Sequence, residues 1–316
     1  MPLDPALTRC VGFVVPRGSD SPIGTCFLTR FPSKDVEGFS HTYVVTAEHC
    51  APTSHDVDIW MTTTEGEFVK QIEVHHWIRD ENFDIAIAPW LADSDTRKWM
   101  APDLASTFYD QMGLRLDLGG EALYMGWVKP IRSMSERGQP MVRSATLGFV
   151  GAENLPYDGN PPRSLPIGHI LDCRSWEGFS GAPCWVHVQV PYTPPDSFEP
   201  PRILTQLAQA GIVKWAGDTL SVVGFFGMLV AYTTNSGHGV GIVTPGERIV
   251  DLILDDEELV EIREQAEEKE RRRRDAEGIQ AIASPPPSQT SFLDDLERAT
   301  RRLADEPDQE PKRTSE

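Results

Sequence analysis

No run of apolar residues in this chain approaches the ~20 needed to span a bilayer. The opening stretch, MPLDPALTRCVGFVV, lacks the basic segment and apolar core of a secretion signal. These absences lead to the expectation of a cytoplasmic protein that does not attach to membranes. Basic charge is scarce: 29 Lys and Arg stand against 48 Asp and Glu, a net charge of −19. Phosphate backbones bind basic surfaces, so no nucleic acid is expected as a partner. CxxC and HExxH are missing, and His75-His76 has no further ligand at matched spacing, so no metal or other cofactor is expected. The chain has 5 cysteines, an odd number, so at least one is unpaired within a monomer, and thiols are the default in a reducing compartment.

Strand–helix alternation is also missing, which argues against a doubly wound sheet. Instead, short segments rich in Val, Ile, Phe, Trp and Thr recur between Gly, Pro, Asp and Ser. Cys10–Val15, Gly24–Arg30, Thr42–Thr46, Val57–Thr62, Asp84–Ala88, Ala122–Trp127, Val142–Phe149, Ala182–Val190, Val222–Tyr232 and Gly239–Val243 read as strands. Many short strands predict an all-β sandwich or barrel. Glu153–Pro166 and Pro191–Arg202 are proline-rich and read as surface loops.

The character changes after Val243. Thr244-Pro245-Gly246-Glu247 has capping-box spacing and predicts a helix start, followed by apolar residues through Ile262. From Glu264 to Arg274 the helix is almost wholly charged and reads as an exposed or coiled-coil arm, with the Arg271–Arg274 run on a solvated face. Pro285-Pro286-Pro287 marks a linker, and the polar residues beyond it read as disordered, apart from a short amphipathic stretch at Ser291–Leu303.

Three segments carry the chemistry of a hydroxyl nucleophile. Val44-Val45-Thr46-Ala47-Glu48-His49-Cys50 is an apolar strand ending in a turn that bears His49. Asn82-Phe83-Asp84-Ile85-Ala86-Ile87 puts a carboxylate at the start of a buried strand. Gly178-Phe179-Ser180-Gly181-Ala182-Pro183 sets a serine between glycines, which permit unusual dihedrals and close approach of a carbonyl. An imidazole to take a proton, a carboxylate to orient it and a serine on a tight turn are the parts that amide hydrolysis requires.

In these motifs the chain resembles the trypsin-like (chymotrypsin-fold) serine peptidases, as a divergent bacterial-type member, over roughly residues 8–262. The resemblance implies two six-stranded antiparallel β-barrels, a C-terminal helix and a disordered tail. Barrel 1 would span about 8–130 and barrel 2 about 131–250. A closing helix starts from 245 and completes a peptidase domain at 1–262, with the charged arm, linker and tail at 263–316. It implies His49 as base, Asp84 as its orienter, Ser180 as nucleophile, and the N–H groups of Gly178 and Ser180 as the oxyanion hole. Val230, Ala231 and Tyr232 would line the substrate channel, and Arg174 would lie at the floor of the specificity pocket or, by a loop shift, point to solvent. Cys26 and Cys50 would be neighbours, with their oxidation state open; Cys173 and Cys184 would be structural. Position 179 is Phe where the family often has Asp, so activation by a freshly cut N-terminus is not expected. The implied activity is endopeptidase cleavage of polypeptide. The alternative is a weak or inactive protease fold that binds a protein partner through its C-terminal arm.

Overall fold

The computed structural model describes residues 5–52, 57–74, 76–90, 99–104, 116–128, 138–157, 163–173, 177–191, 213–216, 219–235 and 238–277. After a single helical turn, α1 (Pro5–Thr8), the first sheet uses β1 (Val11–Pro16), β2 (Gly24–Pro32), β3 (Ser40–Ala47), β4 (Val57–Thr62), β5 (Phe68–Val74), β6 (Ile78–Asp80) and β7 (Ile85–Pro89). Their order is β5-β4-β1-β2-β3-β7-β6, and all the pairings are antiparallel. The apolar runs predicted β1, β2, β3, β4 and β7, which are largely buried, as β7 is at Ile85, Ala86, Ile87 and Ala88, but they did not mark β5 or β6.

The second sheet uses β8 (Glu121–Gly126), β9 (Met141–Tyr157), β10 (Arg163–Asp172), β11 (Ala182–Pro191), β12 (Val213–Ala216), β13 (Thr219–Asn235) and β14 (His238–Pro245). Its order is β11-β8-β9-β10-β14-β13-β12, and β11 also pairs with β13. That extra pairing closes a ring of β11, β8, β9, β10, β14 and β13, with β12 appended. The architecture is all-β with two barrel-like sheets, each with seven strands among the described residues, one more than the six implied by resemblance. The two sheets touch through aromatic rings: Phe27 of β2 lies 5.6 Å from Phe225 of β13, which in turn packs at 5.4 Å on Trp185 of β11.

The structure corrects the reading of Glu153–Pro166 as a surface loop. Residues 153–157 and 163–166 extend β9 and β10 into a long hairpin, paired from Arg163↔Tyr157 onward. The prolines misled because they sit where the ladder tolerates them: the register steps from Leu165↔Leu155 to Ile167↔Glu153, skipping Pro166, and Asn154 takes a positive φ of 52°. Most of Pro191–Arg202 lies outside the described residues.

The C-terminal region forms not one helix but two, α2 (Gly246–Asp255) and α3 (Glu257–Glu277). No side chain caps α2: the Thr244 hydroxyl, expected to do so, donates instead to the Phe83 carbonyl at 2.6 Å. Asp256 separates the two helices, and its Oδ1 accepts the N–H groups of Glu258 and Leu259, capping α3. The charged α3 is not a free arm. Glu267 Oε1 accepts Ser33 Oγ at 2.7 Å and meets His41 Nε2 at 2.9 Å, Arg274 donates to the Glu37 carbonyl, and Leu259 is buried. The compact unit accordingly runs from Met1 to Ile279, and residues 280–316 form a separate unit outside the described residues. Among the described residues no helix is long and apolar enough to cross a membrane.

Candidate active site

His49 sits on a single 3-10 turn, Glu48–Cys50, directly after β3. Its Nδ1 lies 2.8 Å from Asp84 Oδ2 and 3.1 Å from Oδ1. A carboxylate only accepts, so Nδ1 carries the hydrogen and Nε2 is left as the basic nitrogen. Two further bonds fix the pair: His49 N donates to Asp84 Oδ1 at 3.0 Å, and Glu48 N donates to the Asp84 carbonyl at 3.0 Å. Asp84 is fully buried and has a φ of 54°, a left-handed conformation that Asp tolerates better than most residues. The preceding residue is clamped from the C-terminal side, because Thr244 binds the Phe83 carbonyl and the Arg248 guanidinium lies 4.9 Å from the Phe83 ring.

Burial acts to lower the His49 pKa, but the adjacent Cys50 sulfur and the Asp84 carboxylate outweigh it and raise it to about 10. The imidazole stays partly open to solvent, with 37% of its side chain exposed.

Ser180 comes from the turn that precedes β11, between Gly178 (φ 109°) and Gly181 (φ 89°). A Cβ on Gly181 would strike the Thr25 carbonyl, so only glycine fits there. Ser180 Oγ donates to the Val230 carbonyl at 3.3 Å, and no hydrogen bond among the described residues joins it to His49. Among the described residues nothing accepts the N–H of Gly178 or of Ser180, so both donors are uncommitted. Phe179 points inward, 1% exposed, with its ring 5.0 Å from that of Tyr124.

The residue that holds this turn escaped the sequence reading. Thr25 of β2 is fully buried; its N–H donates to the Ser180 carbonyl at 2.8 Å and its hydroxyl to the Gly178 carbonyl at 2.7 Å. The same hydroxyl accepts Trp127 N at 2.9 Å, while Thr46 Oγ1 donates to the Thr25 carbonyl at 2.7 Å. A barrel 1 threonine thus grips the barrel 2 turn that carries Ser180. Nothing in the sequence around Thr25 signals this, because it depends on the packing of distant strands.

A set of charges also escaped it. Glu48, 7% exposed, pairs with Arg79 of β6 at 3.0 Å and with Arg163 of β10 at 2.6 Å. The same Arg163 nitrogen lies 3.5 Å from Asp84 Oδ1. Tyr157, at the end of β9, is buried; burial and the Asp84 charge push its pKa up to about 12.

Of the residues expected to line the channel, Val230 is buried and supplies the carbonyl that Ser180 meets. Ala231 and Tyr232 are half-buried, and the Tyr232 ring fills the space that a side chain on Gly239 would take. Arg174 lies outside the described residues. All 5 cysteines are buried free thiols. Cys26 and Cys50 are near enough for one thiol's charge to raise the other's pKa, secondary to burial. His76 pairs with Glu258 of α3 at 2.9 Å, while His75 lies outside the described residues. Arg271, Arg272, Arg273 and Arg274 pair with Glu267, Glu268 and Glu270 on their own helix.

No protein-family model matches the chain, and no curated protein is similar to it in sequence. Among solved structures, the apo protease domain of MamO from Magnetospirillum magneticum is similar, with a TM-score of 0.50 and 16% identity. The match covers 79% of this chain and 98% of that domain. The chain has a chymotrypsin-like fold. Cys50, the neighbour of His49, brings its sulfur to 3.9 Å from the Ser180 carbonyl.

Proposed function

We propose that the protein is a trypsin-like serine endopeptidase that cleaves polypeptide through an acyl-enzyme, with His49, Asp84 and Ser180 as its triad. The observation that carries this reading is the buried Asp84 carboxylate bonded to His49 Nδ1, beside a serine whose turn leaves two N–H groups unspent. Rotation of the Ser180 side chain would exchange the Val230 carbonyl for His49 Nε2, a contact that commonly tightens only with substrate bound. Ser180 Oγ then attacks the scissile carbonyl as its proton passes to Nε2. Asp84 stabilises the resulting imidazolium, and the N–H groups of Gly178 and Ser180 take the oxyanion. The imidazolium protonates the departing amine, and water repeats the sequence to release the acid.

The second reading is an inactive fold that binds a partner. It is favoured by one observation: the Ser180 hydroxyl is bonded to Val230, not to His49. A fluorophosphonate probe on the full chain separates the two. Labelling that disappears in Ser180→Ala supports the peptidase; folded protein that takes no label overturns it in favour of the binding module.

A further inference from the structure

We infer that Arg163 is a positioning residue of the triad, a cation that barrel 2 inserts between Glu48 and Asp84 to set the basicity of His49. The inference deepens the peptidase reading and rests on it for its functional meaning.

The placement comes first. Arg163 opens β10, at the far end of the long hairpin, opposite Tyr157. Its Nη1 lies 2.6 Å from Glu48 Oε2 and 3.5 Å from Asp84 Oδ1. The two carboxylates flank strands of the first sheet, Glu48 just after β3 and Asp84 just before β7, and both are buried, Asp84 completely and Glu48 to 7% exposure. Two buried like charges so close are costly unless a cation lies between them. Arg79 answers one of them, at Glu48 Oε1. Among the described residues Arg163 is the cation that reaches Asp84. A single nitrogen, Nη1, faces both carboxylates, so what the site needs from Arg163 is a positive charge at this point.

The consequence for His49 follows from charge. Asp84 uses Oδ2 chiefly for the imidazole and Oδ1 for His49 N and Arg163. A guanidinium on Oδ1 keeps the carboxylate aimed, and its charge also opposes the imidazolium. Arg163 therefore restrains the upward push that Asp84 exerts on the base. The charged and titratable groups around the His49–Asp84 pair are Glu48 and Cys50 on the His49 turn, Arg79 on β6, which reaches Glu48, and Tyr157 and Arg163 on the hairpin, which interact with Asp84.

The test is an NMR titration of the His49 imidazole in the full chain, with its resonance identified by loss in His49→Gln. The probe needs no turnover, so it reads Arg163 even if Ser180 proves unreactive. Arg163→Gln and Glu48→Gln break the same ion pair but change the charge in opposite senses. Loss of the cation should raise the His49 pKa by about one pH unit, the low end of what a charge at this range produces. Loss of the Glu48 charge should lower it, since Arg163 is then left to Asp84 alone. Arg163→Lys should stay within a few tenths of the parent, and it serves if Arg163→Gln does not fold. A role confined to stability predicts equal shifts in both directions of charge, or none, and either result overturns the proposal. Fluorophosphonate labelling read on the same samples reports separately on the peptidase reading: absent labelling with opposed His49 shifts would sink that reading and leave Arg163 in place.

Discussion

The hydroxyl of Thr25 and the carbonyl of Gly178, 153 residues apart, are joined by a buried hydrogen bond of 2.7 Å. Through it the first barrel sets the shape of the turn that presents Ser180. Thr25→Val keeps the volume but strips the donor from Gly178 and the acceptor from Trp127 N. Two buried polar groups left unpaired should cost about 1–3 kcal/mol each. Urea unfolding should register that loss. The fluorophosphonate rate should fall as well; a variant as stable and as reactive as the parent would show that the turn holds itself.

The pH profile follows from His49. Its pKa is raised to about 10, with Cys50 and Asp84 outweighing burial, and only the neutral imidazole accepts the serine proton. Labelling of Ser180 should therefore climb through the alkaline range and be suppressed below it, with a midpoint above the 6.5 of a free histidine. The linked stability has the opposite sense: what His49 contributes is full below its unfolded value and is lost as pH rises through the folded one. Asp84→Asn should move the acid limb downward. A profile with its midpoint at or below 6.5 in the parent would refute this assignment of the base.

Truncation separates the two ends of α3. Sequence alone predicts that a chain ending at Glu264 keeps its melting temperature. The bonds of Glu267 to Ser33 and His41 reverse that expectation. Ending at Glu264 should cost about 1–3 kcal/mol, because His41 and Ser33 lose their partner. Ending at Glu277 should cost nothing measurable. Glu267 is held below the usual carboxylate range, where its hydrogen bonds with Ser33 and His41 outweigh burial, so its share is present above the unfolded pKa and fades as pH falls through the folded one. Equal melting temperatures for the two truncations would show that the helix is only resting on the barrel.

Activation should require no N-terminal cut. Leu7 and Cys10 are buried, the Cys10 carbonyl accepts Leu28 N at 2.8 Å, and Arg9 is bonded to the Thr64 carbonyl. Cleavage after Arg9 would free an amine already locked against the first sheet, and Phe179 offers it no carboxylate. Purified full-length protein should label without processing, and Phe179→Ala should destabilise it by about 3–5 kcal/mol. Labelling that appears only after proteolysis would point to another switch.

How far the sequence could be read follows from the range of each interaction. His49, Asp84 and Ser180 stand out because each is embedded in a local string of strand, turn and glycine. The strand pattern was legible for the same reason, since burial along β7 or β13 leaves an apolar run. Thr25, Glu48, Tyr157 and Arg163 act across the sheets, so no local string marks them. Arg163 was hidden twice over, because the prolines around it read as a loop while the ladder skips Pro166. The capping-box reading at Thr244 failed through competition: the Phe83 carbonyl claimed the hydroxyl.

The left-handed backbone of Asp84 narrows what evolution can do at that codon. Most side chains are strained at a φ of 54°, and those least strained are Gly, Asn and Asp itself. A lineage drifting away from catalysis could swap Ser180 or His49 for many residues without disturbing the fold. At Asp84 the neutral exits are few, so of these three positions it should be the slowest to change.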